Sequence, residues 1–193
     1  EEVETAKAEP TPLPKLKPEQ AVIPPNIDFG GYHALVIGNN KYKFLPKLKT
    51  AIADAKSIAD TLKNNYGFDT TLLMNATRTD ILDALDTLRK RLTKKDSLLI
   101  YYAGHGWLDA GADRGYWQGI NSREGSRSNW VSNADITDTL KAMQAKHVMV
   151  VADSCYSGTL TRAGNRGISI EARTPSYISK LVSLKSRTVL SSG

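Results

Sequence analysis

Leu98-Leu99-Ile100-Tyr101-Tyr102-Ala103 runs straight into Gly104-His105-Gly106, and fifty residues later Val148-Met149-Val150-Val151-Ala152 runs into Asp153-Ser154-Cys155-Tyr156-Ser157-Gly158. Neither apolar run alternates with polar residues. Each therefore reads as a strand buried on both faces, as in a parallel sheet covered by helices. Each strand empties into a short polar loop with glycine in it, and the two loops carry an imidazole and a thiol.

Working outward, His33 to Gly38 and Thr70 to Met74 read as two further strands. Leu48 to Asn65 reads as a helix: Ile52, Ala55, Ile58, Ala59 and Leu62 recur at three-to-four spacing, and Gly67 lies just past the end. Thr77 with Asp80, and Ser132 with Asp135, are capping-box patterns. Each precedes an amphipathic run, Ile81 to Leu92 and Ile136 to Met143. Residues 104–130, rich in Gly, Asp, Asn, Ser and Arg, read as a long irregular loop with room for one short strand at Tyr116 to Ile120. A polar loop from Ser157 to Pro175, a short helix around Tyr177 to Val182 and a last strand from Thr188 complete the pattern. Strands alternating with amphipathic helices predict an α/β fold with a mainly parallel sheet between two helical layers. Ligands in such folds sit outside the carboxyl ends of the strands, where both polar loops lie.

The 193 residues, 40% of them hydrophobic, suffice for one sizeable core and are short for two. Residues 1–28, with six prolines among Lys and Glu, read as a disordered linker or pro-segment. Residues 29–193 read as one catalytic domain whose C-terminal part is expected beyond Gly193. The single cysteine excludes an internal disulfide framework and disfavours a thiolate zinc site. The formal charge of +6 is spread along the whole chain rather than gathered into a basic helix, so specific nucleic-acid binding is not expected. No apolar run approaches the roughly 20 residues that span a bilayer. The sequence opens on Glu1, so any leader would precede it; a soluble, cytoplasmic protein is the expectation.

A thiol attacks an acyl carbon as the thiolate, and needs a base beside it and donors for the developing oxyanion. Cys155 is the candidate nucleophile and His105 the candidate base. The N–H of Gly106, with no side chain in the way, and the N–H of Cys155 are the candidate oxyanion donors, and Gly106 is expected to turn the backbone sharply. Taken singly, a cysteine after a Val-rich strand is more often a small buried hydrophobe, and Asp153 could simply cap its loop. His33 and His147 stand at strand starts and receive no role. Asp153, two residues before Cys155, falls on the same face of an extended chain. A carboxylate there would attract a cationic group bound beside the thiol.

Tyr101-Tyr102-Ala103-Gly104-His105-Gly106 and Asp153-Ser154-Cys155-Tyr156-Ser157-Gly158 resemble the histidine and cysteine motifs of the caspase-like peptidases, in particular the metacaspases and bacterial caspase homologues. Ala34 to Asn39 and the helix containing Asp54-Ala55 also resemble the opening of that domain. The resemblance implies a caspase-like three-layer α/β/α sandwich and a cysteine endopeptidase acting through a Cys155–His105 dyad on protein or peptide substrates. Where animal caspases have Gln-Ala-Cys and a cationic pocket, this chain has Asp153, which fits cleavage after Arg or Lys. The resemblance also implies self-processing, with Arg162, Arg166 and Arg173 as candidate cut sites, and a fused or associated regulatory domain. Some metacaspases need calcium, but Asp109, Asp113 and Asp135 are scattered, so no obligatory metal or other cofactor is expected. A second pocket carboxylate is expected beyond Gly193. The other function open to this fold is a non-catalytic scaffold, which typically lacks the Cys or the His.

Overall fold

The computed structural model of the chain describes residues 28–154 and 185–191. Its centre is a five-stranded sheet of β1 (Tyr32–Gly38), β2 (Asp69–Met74), β3 (Ser97–Ala103), β7 (His147–Asp153) and β8 (Ser186–Ser191). The spatial order is β2-β1-β3-β7-β8 and every pairing is parallel. Right-handed crossovers then decide the layers. The step from β1 to β2 runs one way across the sheet, and the steps from β2 to β3 and from β3 to β7 run the other way. Helix α1 (Ala51–Tyr66) therefore covers one face, while α2 (Arg78–Arg91) and α3 (Asn133–Ala142) share the opposite face.

Period-two alternation divides the core accordingly. Leu35, Ile37, Leu98, Ile100, Tyr102, Val148 and Val150 pack with Ile81, Leu85 and Leu88 of α2 and Ile136 and Leu140 of α3. Ala34, Val36, Tyr101 and Ala103 pack against Ala51, Ala55 and Ala59 of α1. The small residues let α1 lie close to the sheet. A Cβ at Gly38 would stand 2.7 Å from the Ala51 carbonyl oxygen and from the Ala55 Cβ, so the first turn of α1 is pressed onto the end of β1.

Both capping boxes form as the sequence predicts, at Thr77 with Asp80 and at Ser132 with Asp135. Helix α1 begins three residues later than its periodicity suggests. Asn40 holds the preceding segment: its carbonyl accepts the Leu48 N–H at 3.0 Å and its Oδ1 accepts the Ile52 N–H at 3.2 Å. The region 104–130 is a correction to the sequence reading. It is not an irregular loop with one strand but carries most of an antiparallel sheet, β4 (Gly106–Asp109), β5 (Arg114–Gln118) and β6 (Trp130–Ser132), in the order β4-β5-β6. These strands have only four, five and three residues, too few for a period to show through the polar composition. The expected helix at Tyr177 to Val182 lies outside the described residues.

Leu85 is completely buried between α2 and the sheet. Leu85→Ala should lower unfolding free energy by about 2–5 kcal/mol, from lost burial and the cavity left behind. Urea titration should show a lower midpoint with little change in slope; an unchanged midpoint would contradict this packing.

Candidate active site

The pairing of β3 with β7 brings the two sequence motifs side by side. The register runs from Ser97 opposite His147 to Ala103 opposite Asp153, an offset of fifty residues throughout. The Gly104 N–H extends the ladder to the Asp153 carbonyl at 3.4 Å. His105 stands two residues beyond the last pair on β3. Cys155 stands two residues beyond it on β7, at the same offset in sequence, and lies outside the described residues, as do Arg162, Arg166 and Arg173.

His105 is held by its backbone and by its ring. Its N–H donates to the Tyr42 hydroxyl at 2.8 Å. Its carbonyl accepts from the Tyr102 hydroxyl at 2.7 Å and from the Gln118 N–H at 3.0 Å. The ring lies tilted against that of Tyr42, centroids 4.6 Å apart. Nε2 is 2.8 Å from the Pro46 carbonyl oxygen. A carbonyl only accepts, so Nε2 carries the proton in the neutral ring and Nδ1 is the basic nitrogen. Burial pushes the Tyr42 and Tyr102 phenols up, Tyr102 far up, so both keep their protons and serve as neutral donors. Beneath them the fully buried Asn39 joins the Ala76 N–H and carbonyl to the Gln118 carbonyl. Gly104 is required here: a Cβ on it would lie 2.7 Å from both phenol oxygens.

Gly106 does not make the sharp turn expected of it. It is the first residue of β4, opposite Trp117, and positive φ among the described glycines falls at Gly30, Gly67 and Gly125. Because the Gln118 N–H bonds the His105 carbonyl, Gly106 and Trp117 form a non-hydrogen-bonded pair. The Gly106 N–H therefore points away from β5 and out of the ladder.

Asp153 is exposed at the end of β7, on the α1 face with Tyr101. Burial raises the Tyr101 phenol, and the negative charges of Asp153 and Asp54 raise it further. The two carboxylates come from different elements, Asp153 from the end of β7 and Asp54 from the first turn of α1. In the sequence Asp54 reads only as part of a helix. The usable signal was position, since an acidic residue in the first turn after β1 falls at the carboxyl edge of the sheet.

The remaining candidates have structural partners. Asp109 accepts the Ala112 N–H at 3.1 Å and pairs with Arg127 at 3.4 Å. Asp135 completes the α3 capping box and pairs with Arg78 at 3.6 Å. Among the described residues no group of three His, Cys, Asp or Glu side chains could hold a metal ion. His33 lies 3.3 Å from Asp69 and His147 lies 2.9 Å from Ser186, both at the opposite, amino end of the sheet. No helix among the described residues is long and apolar enough to cross a membrane.

Beside His105 and Gly106 opens a cleft of about 580 Å³, walled by Trp107 and Trp130 from the antiparallel sheet and by Leu45 and Pro46 from the loop after β1.

A family profile described as the caspase domain matches residues 32–189. Metacaspase-1A of Neurospora crassa is 28% identical over 148 residues, covering 68% of this chain and 33% of that protein. Metacaspase-1 of Saccharomyces cerevisiae is 27% identical over 148 residues, covering 68% and 34%. The chain thus spans about a third of the length of these curated relatives. The crystal structure of a Geobacter sulfurreducens protein superposes with a TM-score of 0.55 at 27% identity, covering 69% of this chain and 54% of that one.

Tyr102→Phe removes the hydroxyl that binds the His105 carbonyl and strands its partners in a buried site, so it should cost about 1–3 kcal/mol. Tyr66→Phe, on a residue 68% exposed, should cost almost nothing. Paired urea titrations check the difference; equal midpoints would show that the buried network adds no stability.

Proposed function

The chain belongs to the caspase-domain family, and on that premise we propose that it is a cysteine endopeptidase hydrolysing peptide bonds after Arg or Lys. Cys155 is the nucleophile, and His105 is its general base and acid. The reading rests above all on the constant offset of fifty along β3 and β7, the same offset that separates His105 from Cys155.

His105 Nδ1 takes the thiol proton while Nε2–H stays on the Pro46 carbonyl, a contact that orients the ring. The sulfur bonds to the peptide carbonyl carbon, and the π pair moves to oxygen, opposite the N–H groups of Gly106 and Cys155. The oxyanion collapses, the C–N bond breaks, and the imidazolium proton passes to the leaving amine. Water then attacks the thioester, giving a proton to His105. The S–C bond breaks, and the sulfur recovers a proton. One water is consumed per bond cut.

The charges of Asp153 and Asp54, both felt by Tyr101, support the basic preference. A charge-assisted bond to either carboxylate favours guanidinium or ammonium over a neutral or acidic side chain. By the same preference, Arg162, Arg166 and Arg173, just after Cys155, are candidate self-cleavage sites.

A fluorogenic panel with Arg, Lys or Asp at the cleaved residue, assayed in reductant with and without calcium, tests this. Arg and Lys peptides should be cut and the Asp peptide spared, and Cys155→Ala should abolish turnover. Asp153→Asn should lower kcat/KM for Arg peptides about 10–100-fold, the value of one charge-assisted hydrogen bond. Hydrolysis of the Asp peptide alone would overturn the specificity. No hydrolysis of any peptide would favour a non-catalytic scaffold. Intact mass of wild type against Cys155→Ala reports self-processing: a cut after Arg162, Arg166 or Arg173 should appear only with the thiol present.

A further inference from the structure

The order of elements along the carboxyl edge gives the cleft beside His105 a direction. The β7 end leads to Cys155, the β3 end carries His105, and the loop after β1 carries Leu45 and Pro46. A peptide bond attacked at Cys155 releases its amine toward His105. The residues on the amine side must therefore continue past His105, away from β7 and toward the loop after β1. That is where the cleft lies, with Trp107 and Leu45 among its walls.

We propose that this cleft is the leaving-side subsite of the peptidase, and that it selects a large apolar or aromatic residue immediately after the cleaved bond. The proposal rests on the peptidase reading above and adds to it which residue follows the Arg or Lys. Trp107 is 47% exposed in the free protein, its ring 5.7 Å from that of buried Trp130, and an incoming aromatic side chain would cover it. The walls are fixed before anything binds. The Lys43 N–H donates to the Ile120 carbonyl at 2.8 Å, and the Arg123 guanidinium sits 3.9 Å over the Phe44 ring, tying the two loops that flank the cleft. Glu124 is the acidic group on its lining and opposes an aspartate in the same position.

Quenched-fluorescence peptides identical up to a cleaved Arg, with Phe, Gly or Asp next, test this on the full chain. Wild type should cut the Phe peptide with kcat/KM about tenfold above the Gly peptide, the size of discrimination an apolar pocket supplies. The Asp peptide should be poorest. Trp107→Ala should bring the Phe-to-Gly ratio close to one, and Trp107→Phe should restore most of it. Glu124→Gln should raise the Asp peptide relative to Gly. Thermal melting confirms that each variant is folded. Equal cleavage of the Phe and Gly peptides by wild type, or a preference that survives Trp107→Ala, would overturn the subsite while leaving the peptidase standing. Failure to cut any of the three would take down both.

Discussion

The hydroxyl of Tyr102, at the end of the central strand, meets the carbonyl of His105 three residues on and holds the chain at the point where it leaves the sheet. Everything near the site depends on that anchor. The same hydroxyl reaches the Gln118 carbonyl at 3.1 Å, and the Tyr102 ring stacks flat on Trp117 with centroids 4.5 Å apart. One side chain thereby joins the parallel sheet to the antiparallel one. Asn39 and Tyr42 reach the same carbonyl from the end of β1. In a dry interior such a network is rigid when its members are partnered and costly when one is removed. The imidazole therefore stands on a platform shared by three segments distant in sequence.

The platform and the two carboxylates lie on different sides of β3. Tyr102 faces the α2 and α3 layer, while Tyr101 faces α1, beside the charges of Asp54 and Asp153. The strand's alternation thus puts the Tyr102 anchor of the histidine loop on one face and Tyr101, its phenol raised by burial and by the carboxylate charges, on the other. The parallel register with β7 then places Asp153 level with Ala103, so that acidity and imidazole meet at one edge.

The long strands were readable because both faces are buried, which makes Leu98 to Ala103 and Val148 to Ala152 continuous apolar runs. The helix starts at Thr77 and Ser132 were readable because a capping box is a local chemical pattern, written within four residues. What was not readable depends on contacts between distant residues. Tyr42 sits in a polar loop with nothing nearby to mark it, yet it is 2% exposed and bonds the His105 N–H. Asp54 looks like an ordinary acidic residue in a first helical turn until the sheet order sets the start of α1 at the same carboxyl edge as the end of β7. The antiparallel sheet escaped because its strands are shorter than one reliable period. The Gly106 N–H points out of the ladder, but through a strand pair rather than the expected turn.

The Pro46 carbonyl that receives the Nε2–H of His105 is main-chain. No codon change deletes it, and it cannot be ionised or lost to acid. A carboxylate in its place would add a charge beside the imidazole and could be erased by a single substitution. A peptide oxygen supplies direction without charge. Its position is set by the path of the backbone from Asn40, whose side chain caps α1, to Leu48. The orientation of the histidine is thus inherited from the course of the chain, and an inventory of side chains passes over it.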